Sequence, residues 1–433
     1  MNNAVAASWS EPAMHSERAK QAQCRFCAAP LAVTFVNLGM SPLCQTHIEP
    51  QQLNHMEPFF PLHAWVCQQC FLVQLEEYVA PPNIFSEYAY FSSYSDSWVE
   101  HARRYVEMMR SRFGIASRSL VMEIASNDGY LLQHFVAGGV PVLGIEPAAN
   151  VAKVAVERGI RSEVCFHGTA SAERVVSKYG QADLVLGNNV LAHVPDLNDF
   201  VAGMRRLLKP QGVITMEFPH LQRLMEQNQF DTIYHEHFSY FSFLTVEKVF
   251  AAHQLTLFDV EELSTHGGSI RIFARHAADG TKPVSERAHS LRAREIQLGF
   301  DRLETYRNFG EQVKATKRDL LSFLIDLKRR GKSIAGYGAP GKGNTLLNYC
   351  GIGTDFLDYT VDRNPYKQGK YTPGTHIPIL DPEQIRRTKP DYLLLLPWNL
   401  KDEITAQMSF IRDWGGQFIV PIPTPQILSQ PQS

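Results

Sequence analysis

The stretch Ser119–Tyr130 (SLVMEIASNDGY) decides the fold, because its apolar half is followed by a polar turn with one glycine. It predicts a strand over residues 119–125 that turns sharply into a helix, the first unit of a doubly wound α/β sheet. A second predicted strand, residues 141–145, ends in Glu146 and Pro147. A carboxylate at the tip of the second strand is placed to accept hydrogen bonds from both ribose hydroxyls of a nucleoside. Together the two strands predict an adenosine site.

Two later strands, over residues 182–189 and 213–218, continue the alternation of strands and helices. The first leads through a polar loop into a helix with His193, and the second follows a predicted turn at residues 210–212. This spacing is typical of a mainly parallel sheet that binds its ligand at the carboxyl ends of the strands.

The spacing does not decide which cofactor this site binds. A dinucleotide requires G-x-G-x-x-G, whereas residues 123–130 hold one glycine; S-adenosylmethionine has no phosphates and requires a close backbone turn with an acidic ribose ligand.

The composition is that of an ordinary globular protein and excludes several classes of function. The chain has 433 residues, with 42 Lys and Arg against 44 Asp and Glu, which argues against a strongly basic nucleic-acid-binding protein. No apolar run approaches the roughly 20 residues that cross a bilayer. The first twenty residues contain no apolar stretch typical of a secretory signal. We therefore expect a soluble cytoplasmic protein of several domains, with no nucleic-acid or membrane partner, and the oligomeric state stays open.

Four of the seven cysteines form two C-x-x-C pairs, Cys24 with Cys27 and Cys67 with Cys70. Two such pairs supply the four thiolates of a tetrahedral zinc site. The alternative, a redox disulfide, requires only one pair at the start of a helix. Because four cysteines leave no open coordination position, we expect a structural rather than a catalytic Zn²⁺.

The segment Tyr234–Phe238 (YHEHF) concentrates groups that transfer protons. It differs from H-E-x-x-H, in which two histidines one helical turn apart share a metal, so a catalytic zinc is not expected here. Two histidines, a glutamate and a tyrosine among aromatic residues are typical of an acid/base group in an apolar setting. The alternative is a core segment with incidental histidines.

The segment Gly336–Gly341 (GYGAPG) matches three patterns. It fits G-x-G-x-x-G of a dinucleotide site with Asp362 closing the next strand, and it fits a P-loop except that Gly343 replaces the magnesium-binding hydroxyl. The third interpretation is a glycine-rich turn at a helix N-terminus that binds the diphosphate of a nucleotide sugar with Lys342 and Asn344.

Two other segments have both a structural and a functional interpretation. His266 is followed by two glycines and by Arg271 on a predicted strand, and Arg271 is suited to a phosphate or a carboxylate unless the glycines are only a turn. The tyrosine-rich stretch at residues 87–94 either packs between domains or forms the wall of a substrate pocket.

Taken in order along the chain, these segments resemble class I methyltransferases, and more narrowly the sugar C-methyltransferases of deoxysugar biosynthesis. The resemblance rests on the two C-x-x-C pairs and on segments spread over nearly the whole chain, which are EIASNDG at 123–129, NVLAHVP at 189–195, FDTIYHEHF at 230–238, HGG at 266–268, GYGA at 336–339 and PGTHIP at 373–378.

The resemblance implies a reaction and a set of site residues. A protein base removes the C3 proton of a nucleoside-diphosphate sugar with a 4-keto group, and the enolate carbon takes the methyl group of S-adenosylmethionine. It implies His237 as the base, with Tyr234 and Glu236 beside it to orient the sugar or donate to the oxygen. The residues expected to bind S-adenosylmethionine are Asn127, Asp128, Gly129, Glu146, Pro147, Asn188 and His193. The residues expected to bind the substrate are Tyr88, Tyr90, His266, Arg271, Gly338, Lys342, Asn344, His376, Trp398 and Asn399, although turn and core packing are equally open for the last three.

The fold expected is α/β, with a class I methyltransferase Rossmann-like domain between a small zinc-binding module and a C-terminal Rossmann-like domain. The boundaries predicted are a disordered N-terminus at 1–20, the zinc module at 21–85, the methyltransferase domain at 86–280, a helical connection at 281–330, the C-terminal nucleotide-sugar-binding domain at 331–422 and a tail at 423–433. Three alternatives stay open: methylation of another small acceptor at oxygen or nitrogen, an NAD-dependent sugar-nucleotide oxidoreductase, and a non-catalytic zinc-containing binding protein.

Overall fold

The computed structural model describes residues 22–80 and 91–428. The predicted N-terminal segment 1–20, the substrate residues Tyr88 and Tyr90, and the end of the tail from residue 429 lie outside the described residues. In the two described ranges, no helix is both long enough and apolar enough to cross a membrane. The six segment boundaries drawn from the sequence stay predictions.

The strands and helices alternate along most of the chain. The strands are β1 (Val33–Ser41), β2 (Phe60–Val66), β3 (Val73–Leu75), β4 (Val121–Ile124), β5 (Val142–Ile145), β6 (Ser162–Glu163), β7 (Ala182–Asn188), β8 (Leu208–Pro219), β9 (Ser239–Tyr240), β10 (Leu255–Leu263), β11 (Ser269–His276), β12 (Ile334–Tyr337), β13 (Thr360–Val361), β14 (Ile379–Leu380), β15 (Tyr392–Leu395), β16 (Gln417–Val420) and β17 (Gln426–Ile427). The α-helices are α1 (Asp96–Phe113), α2 (Leu132–Ala137), α3 (Ala149–Glu157), α4 (Thr169–Tyr179), α5 (Leu197–Leu207), α6 (Leu221–Glu226), α7 (Phe243–Ala252), α8 (Glu286–Gln297), α9 (Glu304–Arg307), α10 (Phe309–Arg329), α11 (Gly341–Cys350), α12 (Gln384–Thr388) and α13 (Lys401–Gln407).

The first sheet is antiparallel and has the order β1-β2-β3-β9. Its last strand comes from far along the chain, directly after the segment 234–238. Val73 pairs with Tyr240 and Gln74 with Ser239, so this segment is attached to the edge of the N-terminal sheet. The N-terminal sheet therefore helps to position the predicted acid/base group.

The second sheet has seven strands in the order β10-β11-β8-β7-β4-β5-β6, in which β11 runs antiparallel to its two neighbours and the other pairs are parallel. All four residues of β4 are buried, as expected for a parallel strand covered on both faces. The predicted α/β fold is confirmed. The turn expected at residues 210–212 is wrong, because these residues belong to β8. They form an irregularity in its pairing with β7, between Leu208, which pairs with Ala182, and Val213, which pairs with Leu184.

The third sheet has the order β14-β13-β12-β15-β16-β17 and is parallel except for its last pair. The predicted glycine-rich turn leads from β12 into α11. The one or two long helices expected before this sheet are observed as two, α8 with 12 residues and α10 with 21, and the short α9 with four residues lies between them. Its buried residues Val313, Leu320, Leu324 and Leu327 follow the helical period and form one apolar face.

Candidate active site

The turn after β4 has a backbone shape that few side chains tolerate. Ala125 and Asn127 have φ values of 57° and 50°, and Gly129 has 79°. A Cβ atom on Gly129 would lie 2.2 Å from Ile160 Cδ1, so this position requires glycine. Asp128 is buried and accepts hydrogen bonds from Ser93 Oγ and, over 3.2 Å, from Arg158. The turn is thus held tightly against its neighbours.

Glu146 lies at the tip of β5, where the sequence predicts the ribose ligand. Its two carboxylate oxygens accept hydrogen bonds of 2.9 Å from the backbone N–H groups of Asn127 and Ala148. Burial raises the pKa of Glu146. Each oxygen keeps a lone pair, so the group fits a pair of ribose hydroxyls, and Pro147 follows directly.

Glu123 is a polar residue whose role the sequence analysis did not identify. It is fully buried in β4, and both carboxylate oxygens have no hydrogen-bond partner among the described residues. Burial, with the charges of Glu146 and Asp128, raises its pKa well above the ordinary range. Two buried acceptors without donors fit the ammonium group at the methionine end of S-adenosylmethionine. Nearby, Asn188 Nδ2 lies 3.4 Å from the hydroxyl of the buried Tyr130.

His237 occupies a buried position with a defined tautomer. Its Nδ1 lies 2.8 Å from the backbone carbonyl of Thr232. Since a carbonyl can only accept, Nδ1 carries the proton and Nε2 carries the lone pair. Burial lowers the pKa of His237 well below 6.5, and the nearby His193 lowers it further. The ring is therefore a neutral proton acceptor near pH 7.

Of the two residues predicted to act with His237, Tyr234 lies beside its ring and Glu236 contacts Cys44. The rings of Tyr234 and His193 lie 4.0 and 4.7 Å from the His237 ring. Glu236 is buried, its Oε1 is 3.7 Å from Cys44 Sγ, and burial raises its pKa to about 7. Its carboxyl group contacts the loop that follows β1. His235, to which no role is assigned, contacts the backbone of β2.

Lys342, on the first turn of α11, brings a cation into the region around His237. Its Nζ donates to Asn399 Oδ1 over 2.8 Å and lies 4.8 Å from the centre of the Trp398 ring. Trp398 Nε1 donates over 2.7 Å to Asp231 Oδ2. Burial raises the pKa of Asp231 to about 6, and the charge of Lys342 opposes this shift. Lys342 also lowers the pKa values of His237 and His266, which links these groups electrostatically.

The loop after β10 brings His266 to this region. His266 has a φ of 55°, and a Cβ on the following Gly267 would lie 2.8 Å from both Trp398 and Gln229. Arg271 is occupied differently from the prediction, because its guanidinium donates to Glu217 over 2.6 Å and to Glu261 over 3.0 Å. Its expected role in substrate binding stays a prediction.

Two other predicted substrate residues contact the N-terminal module, which is the described part of the predicted zinc module, residues 22–80. Asn344 Nδ2 donates over 2.6 Å to the carbonyl of Cys44, and His376 Nε2 lies 3.1 Å from Glu57. Gly338 has a φ of 85°, and a Cβ there would lie 2.7 Å from Pro397. Asn344 and His376 therefore contact the N-terminal module, and Gly338 shapes the turn.

The same turn disfavours the dinucleotide alternative. In a dinucleotide site, the carboxylate of Asp362 is the group expected to hold a ribose. Here its Oδ2 accepts a hydrogen bond of 2.8 Å from the Ala339 N–H of the turn instead. A Cβ on Gly341 would lie 2.8 Å from Cys44 Sγ, so the N-terminal module packs against the first turn of α11.

The four paired cysteines come together as the sequence predicts. All four Sγ atoms lie within 4.8 Å of one another, and the closest pairs are 3.5 Å apart. Tetrahedral zinc with bonds of about 2.3 Å requires sulfur atoms about 3.8 Å apart, so the cluster fits the ion. Gln74 Nε2 lies 3.2 Å from Cys24 Sγ and is positioned to donate to a thiolate.

Several residues of the site escaped the sequence analysis. Asp231 and Gln229 adjoin the YHEHF segment but match no catalytic pattern, and Cys44 is an isolated cysteine. Trp98 on α1 stacks near Tyr130 and meets the His266 ring at 5.1 Å. A signal existed for Asp231 and for Glu123, because both belong to segments that carry the family resemblance.

Comparisons with known proteins show which family the chain resembles. Three family models match, with the descriptions "Putative zinc binding domain" (24–85), "Methyltransferase domain" (98–260) and "C-methyltransferase C-terminal domain" (264–423). C-methyltransferase NovU of Streptomyces niveus is 37% identical over 410 residues, which are 94% of this chain and 97% of that protein. A ubiquinone biosynthesis O-methyltransferase of Bartonella quintana is 30% identical over 95 residues, 22% of this chain and 38% of that protein.

Among solved structures, the PH0226 protein of Pyrococcus horikoshii OT3 is 16% identical, with a TM-score of 0.35, and the match covers 47% of this chain and 99% of that chain. The similarity to NovU extends along nearly the whole of both chains, and the central domain has the class I methyltransferase fold. This protein is therefore an S-adenosylmethionine-dependent methyltransferase, and it belongs to the C-methyltransferase family.

Proposed function

We propose that the protein methylates carbon C3 of a nucleoside-diphosphate sugar that has a keto group at C4. Carbon becomes a nucleophile only after it has lost a proton, so a C-methyltransferase requires a base and a group that stabilises the resulting enolate. A keto group next to the carbon makes that proton acidic. Membership of the C-methyltransferase family and the buried cluster around His237 support this substrate class.

The observation that carries the proposal is the state of His237. Its Nδ1–H is bonded to the Thr232 carbonyl, and its pKa is lowered by burial, so Nε2 is free to accept a proton over the ordinary pH range. Removing the proton from C3 makes the ring cationic in a place that burial and His193 make unfavourable for a cation. The base therefore passes its proton on readily, which suits a group that must return to the neutral form each turnover.

Cations and hydrogen-bond donors near His237 are available for the enolate oxygen. Tyr234, whose ring is 4.0 Å from that of His237, is proposed to donate to this oxygen or to orient the sugar, with Glu236 next to it. His266 and Lys342 are two further polar groups of this region. Donors that are already in place when the charge develops stabilise an enolate without further rearrangement.

The third sheet is proposed to hold the nucleoside diphosphate. The first turn of α11 presents N–H groups, Lys342 presents a cation held by Asn399, and the ring of Trp398 is buried beside it. The remaining residues proposed to contact the substrate are Tyr88, Tyr90, Arg271, Gly338, Asn344 and His376. Both Asn344 and His376 contact the N-terminal module, which supports a substrate site at this junction.

The cofactor turn and the cysteine cluster complete the proposal. Bound S-adenosylmethionine supplies the electrophilic methyl group. We propose that Glu146 holds its ribose, that Glu123 faces its ammonium group, and that the remaining contacts come from Asn127, Asp128, Gly129, Pro147, Asn188 and His193. Zinc at the four cysteines is proposed to stabilise the fold around the N-terminal sheet.

The proposal is tested by exchange of the C3 proton in deuterium oxide, with S-adenosylhomocysteine bound so that no methyl group is transferred. The wild-type protein should exchange the C3 proton of a nucleoside-diphosphate 4-keto-sugar, as followed by NMR. His237→Gln should abolish exchange and leave S-adenosylhomocysteine binding intact. His276→Gln is the matched control. Like His237, His276 has a ring nitrogen near a backbone carbonyl, at 3.2 Å from that of Leu208, but it lies on β11 and has no proposed role in the reaction. Exchange that persists in His237→Gln would remove His237 as the base. In a separate turnover with S-adenosylmethionine, an O-methylated product would contradict the reaction.

A further inference from the structure

Arg25 lies between two of the clustered cysteines, yet its side chain points away from them towards the active site. Its Nη1 donates over 2.7 Å to the carbonyl of Pro195, and its Nη2 donates to the carbonyl of Leu75. The guanidinium carbon is 5.4 Å from the centre of the Phe238 ring. The planar, permanently charged group thus contacts three separate segments.

Two of these segments carry the histidines of the site. Pro195 is two residues after His193, and Phe238 is next to His237. The rings of His193 and His237 are 4.7 Å apart. The Phe238 N–H donates over 2.7 Å to the carbonyl of Ala192, so the two segments are also joined directly. A shift of either segment changes the distance between the two rings.

The third segment ties Arg25 to the sheet that supports His237. The Leu75 N–H donates over 3.0 Å to the Phe238 carbonyl, while the Leu75 carbonyl accepts from Arg25. At the other end, the Arg25 N–H donates over 2.9 Å to Gln74 Oε1, and Gln74 Nε2 lies 3.2 Å from Cys24 Sγ. An unbroken series of contacts therefore runs from the cysteine cluster to the loop with His237.

We propose that Arg25 is a positioning residue through which metal binding at the four cysteines fixes the loops of His193 and His237. This inference rests on the proposed role of His237 as the base. The metal shapes the Cys24–Cys27 turn, and the turn places the Arg25 side chain. Arg25 then holds the Pro195 carbonyl and the Phe238 ring. Arg25 thereby contributes to proton abstraction through the two loops and not through a contact with the substrate.

The test uses the full-length, metal-loaded protein with Arg25→Met and Arg25→Lys. Arg25→Met fills most of the space but donates no hydrogen bond, so C3 proton exchange should fall by up to about 100-fold, the effect of a small misplacement of a catalytic group. Arg25→Lys should recover part of this loss, because an ammonium reaches one carbonyl but not both in the arginine geometry. Affinity for S-adenosylhomocysteine should fall less than exchange does, because His193 is the one proposed cofactor contact on a loop that Arg25 holds.

Two further measurements separate positioning from folding. The absorption bands of the cobalt-substituted protein report the four-thiolate geometry and should be the same in wild type and Arg25→Met. The ring signals of ¹³C-labelled histidines, assigned through His237→Gln and His193→Gln, should shift in Arg25→Met for these two residues. Arg386→Met is the control, because the Arg386 guanidinium on α12 also packs on an aromatic ring, 3.5 Å from the centre of the Phe410 ring. It should change none of these signals.

The outcomes are distinct. Unchanged ring signals together with wild-type exchange in Arg25→Met would overturn the inference. Loss of the cobalt bands in both Arg25 variants would also overturn it, since Arg25 would then act only on the metal site. If wild type exchanges no sugar-nucleotide proton, the proposed function fails, and the ring signals of His193 and His237 still decide whether Arg25 positions these loops.

Discussion

Replacing Trp398 by Phe is expected to destabilise the protein more at pH 8 than at pH 5. Trp398 Nε1–H donates over 2.7 Å to Asp231 Oδ2, and Asp231 is fully buried. The other oxygen, Oδ1, has no hydrogen-bond partner among the described residues. Phe keeps most of the aromatic surface and lacks the donor. The substitution therefore leaves a buried carboxyl group without its side-chain donor.

The size of the effect follows from the hydrogen bond that is lost. A hydrogen bond to a charged group contributes about 1.5 to 3 kcal/mol. One pKa unit corresponds to about 1.4 kcal/mol. Burial already raises the pKa of Asp231 to about 6, and the loss of the donor should raise it by about one to two units more.

The sign follows from proton linkage. Because the pKa of Asp231 in the folded protein lies above its ordinary value of 3.8, the folded state binds this proton more tightly than the unfolded state. The stability gained in this way is fully present below the unfolded pKa and is lost as the pH rises through the folded pKa. In Trp398→Phe the pKa of folded Asp231 is higher, so the free energy of unfolding keeps falling up to a higher pH. The pH-dependent cost of the substitution, relative to the unaltered protein, is therefore near zero at pH 5 and about 1 to 2 kcal/mol at pH 8.

Urea unfolding at the two pH values measures this difference directly. The loss of packing from Trp to Phe does not depend on pH, so it cancels in the comparison. The control is the same substitution in Asp231→Asn, where no carboxyl group titrates and the cost should be equal at both pH values. An equal cost of Trp398→Phe at pH 5 and pH 8 in the otherwise unaltered protein would refute the assignment of the donor to an ionisable Asp231.

Four other substitutions test the site and its supports. His237→Gln should lower methyl transfer by about 10²- to 10⁴-fold, measured with labelled cofactor, while calorimetry shows S-adenosylhomocysteine binding unchanged. Glu146→Gln places an amide N–H against one of two backbone donors and should weaken S-adenosylhomocysteine binding by about 1 to 3 kcal/mol; equal affinity would exclude this carboxylate as the ribose ligand. Gly129→Ala should lower the unfolding temperature more than Gly139→Ala, because φ is positive at both positions and only the Cβ at 129 collides, which adds about 1 to 3 kcal/mol. Cys67→Ser should reduce the metal content below one ion per chain, measured by atomic absorption, and a full complement would contradict the four-cysteine site.

The fold could largely be predicted from the sequence where the pattern is local. The strand before the cofactor turn was placed at 119–125 and is observed at Val121–Ile124, because a run of apolar residues between turn signals is a local feature. Residues 210–212, Pro-Gln-Gly, have the composition of a turn but lie within β8. They interrupt the register with β7, because Leu208 pairs with Ala182 and the next pair is Val213 with Leu184, so the strand accommodates the turn-like composition as an irregularity.

The candidate site could be predicted only where one segment holds several of its groups. Tyr234 and His237 belong to one motif, and their rings are 4.0 Å apart. Lys342 approaches the same site from the third sheet, where the sequence indicates a phosphate-binding turn but not its neighbour Asp231. The isolation of Glu123 from hydrogen-bond donors depends on the burial of β4, which no spacing in the sequence reveals.

Each of the three sheets in the described residues has a part in fixing the position of His237. The cofactor turn follows β4 of the second sheet, Lys342 lies on α11 after β12, and Trp398 follows β15 of the third sheet. The segment that carries His237 lies between them and forms too short a strand, β9, to hold itself in place. The N-terminal sheet receives that strand at its edge, and Arg25 holds the adjoining Phe238 ring. A base must be held in a fixed position relative to both the methyl donor and the acceptor. Here the N-terminal sheet supplies that constraint.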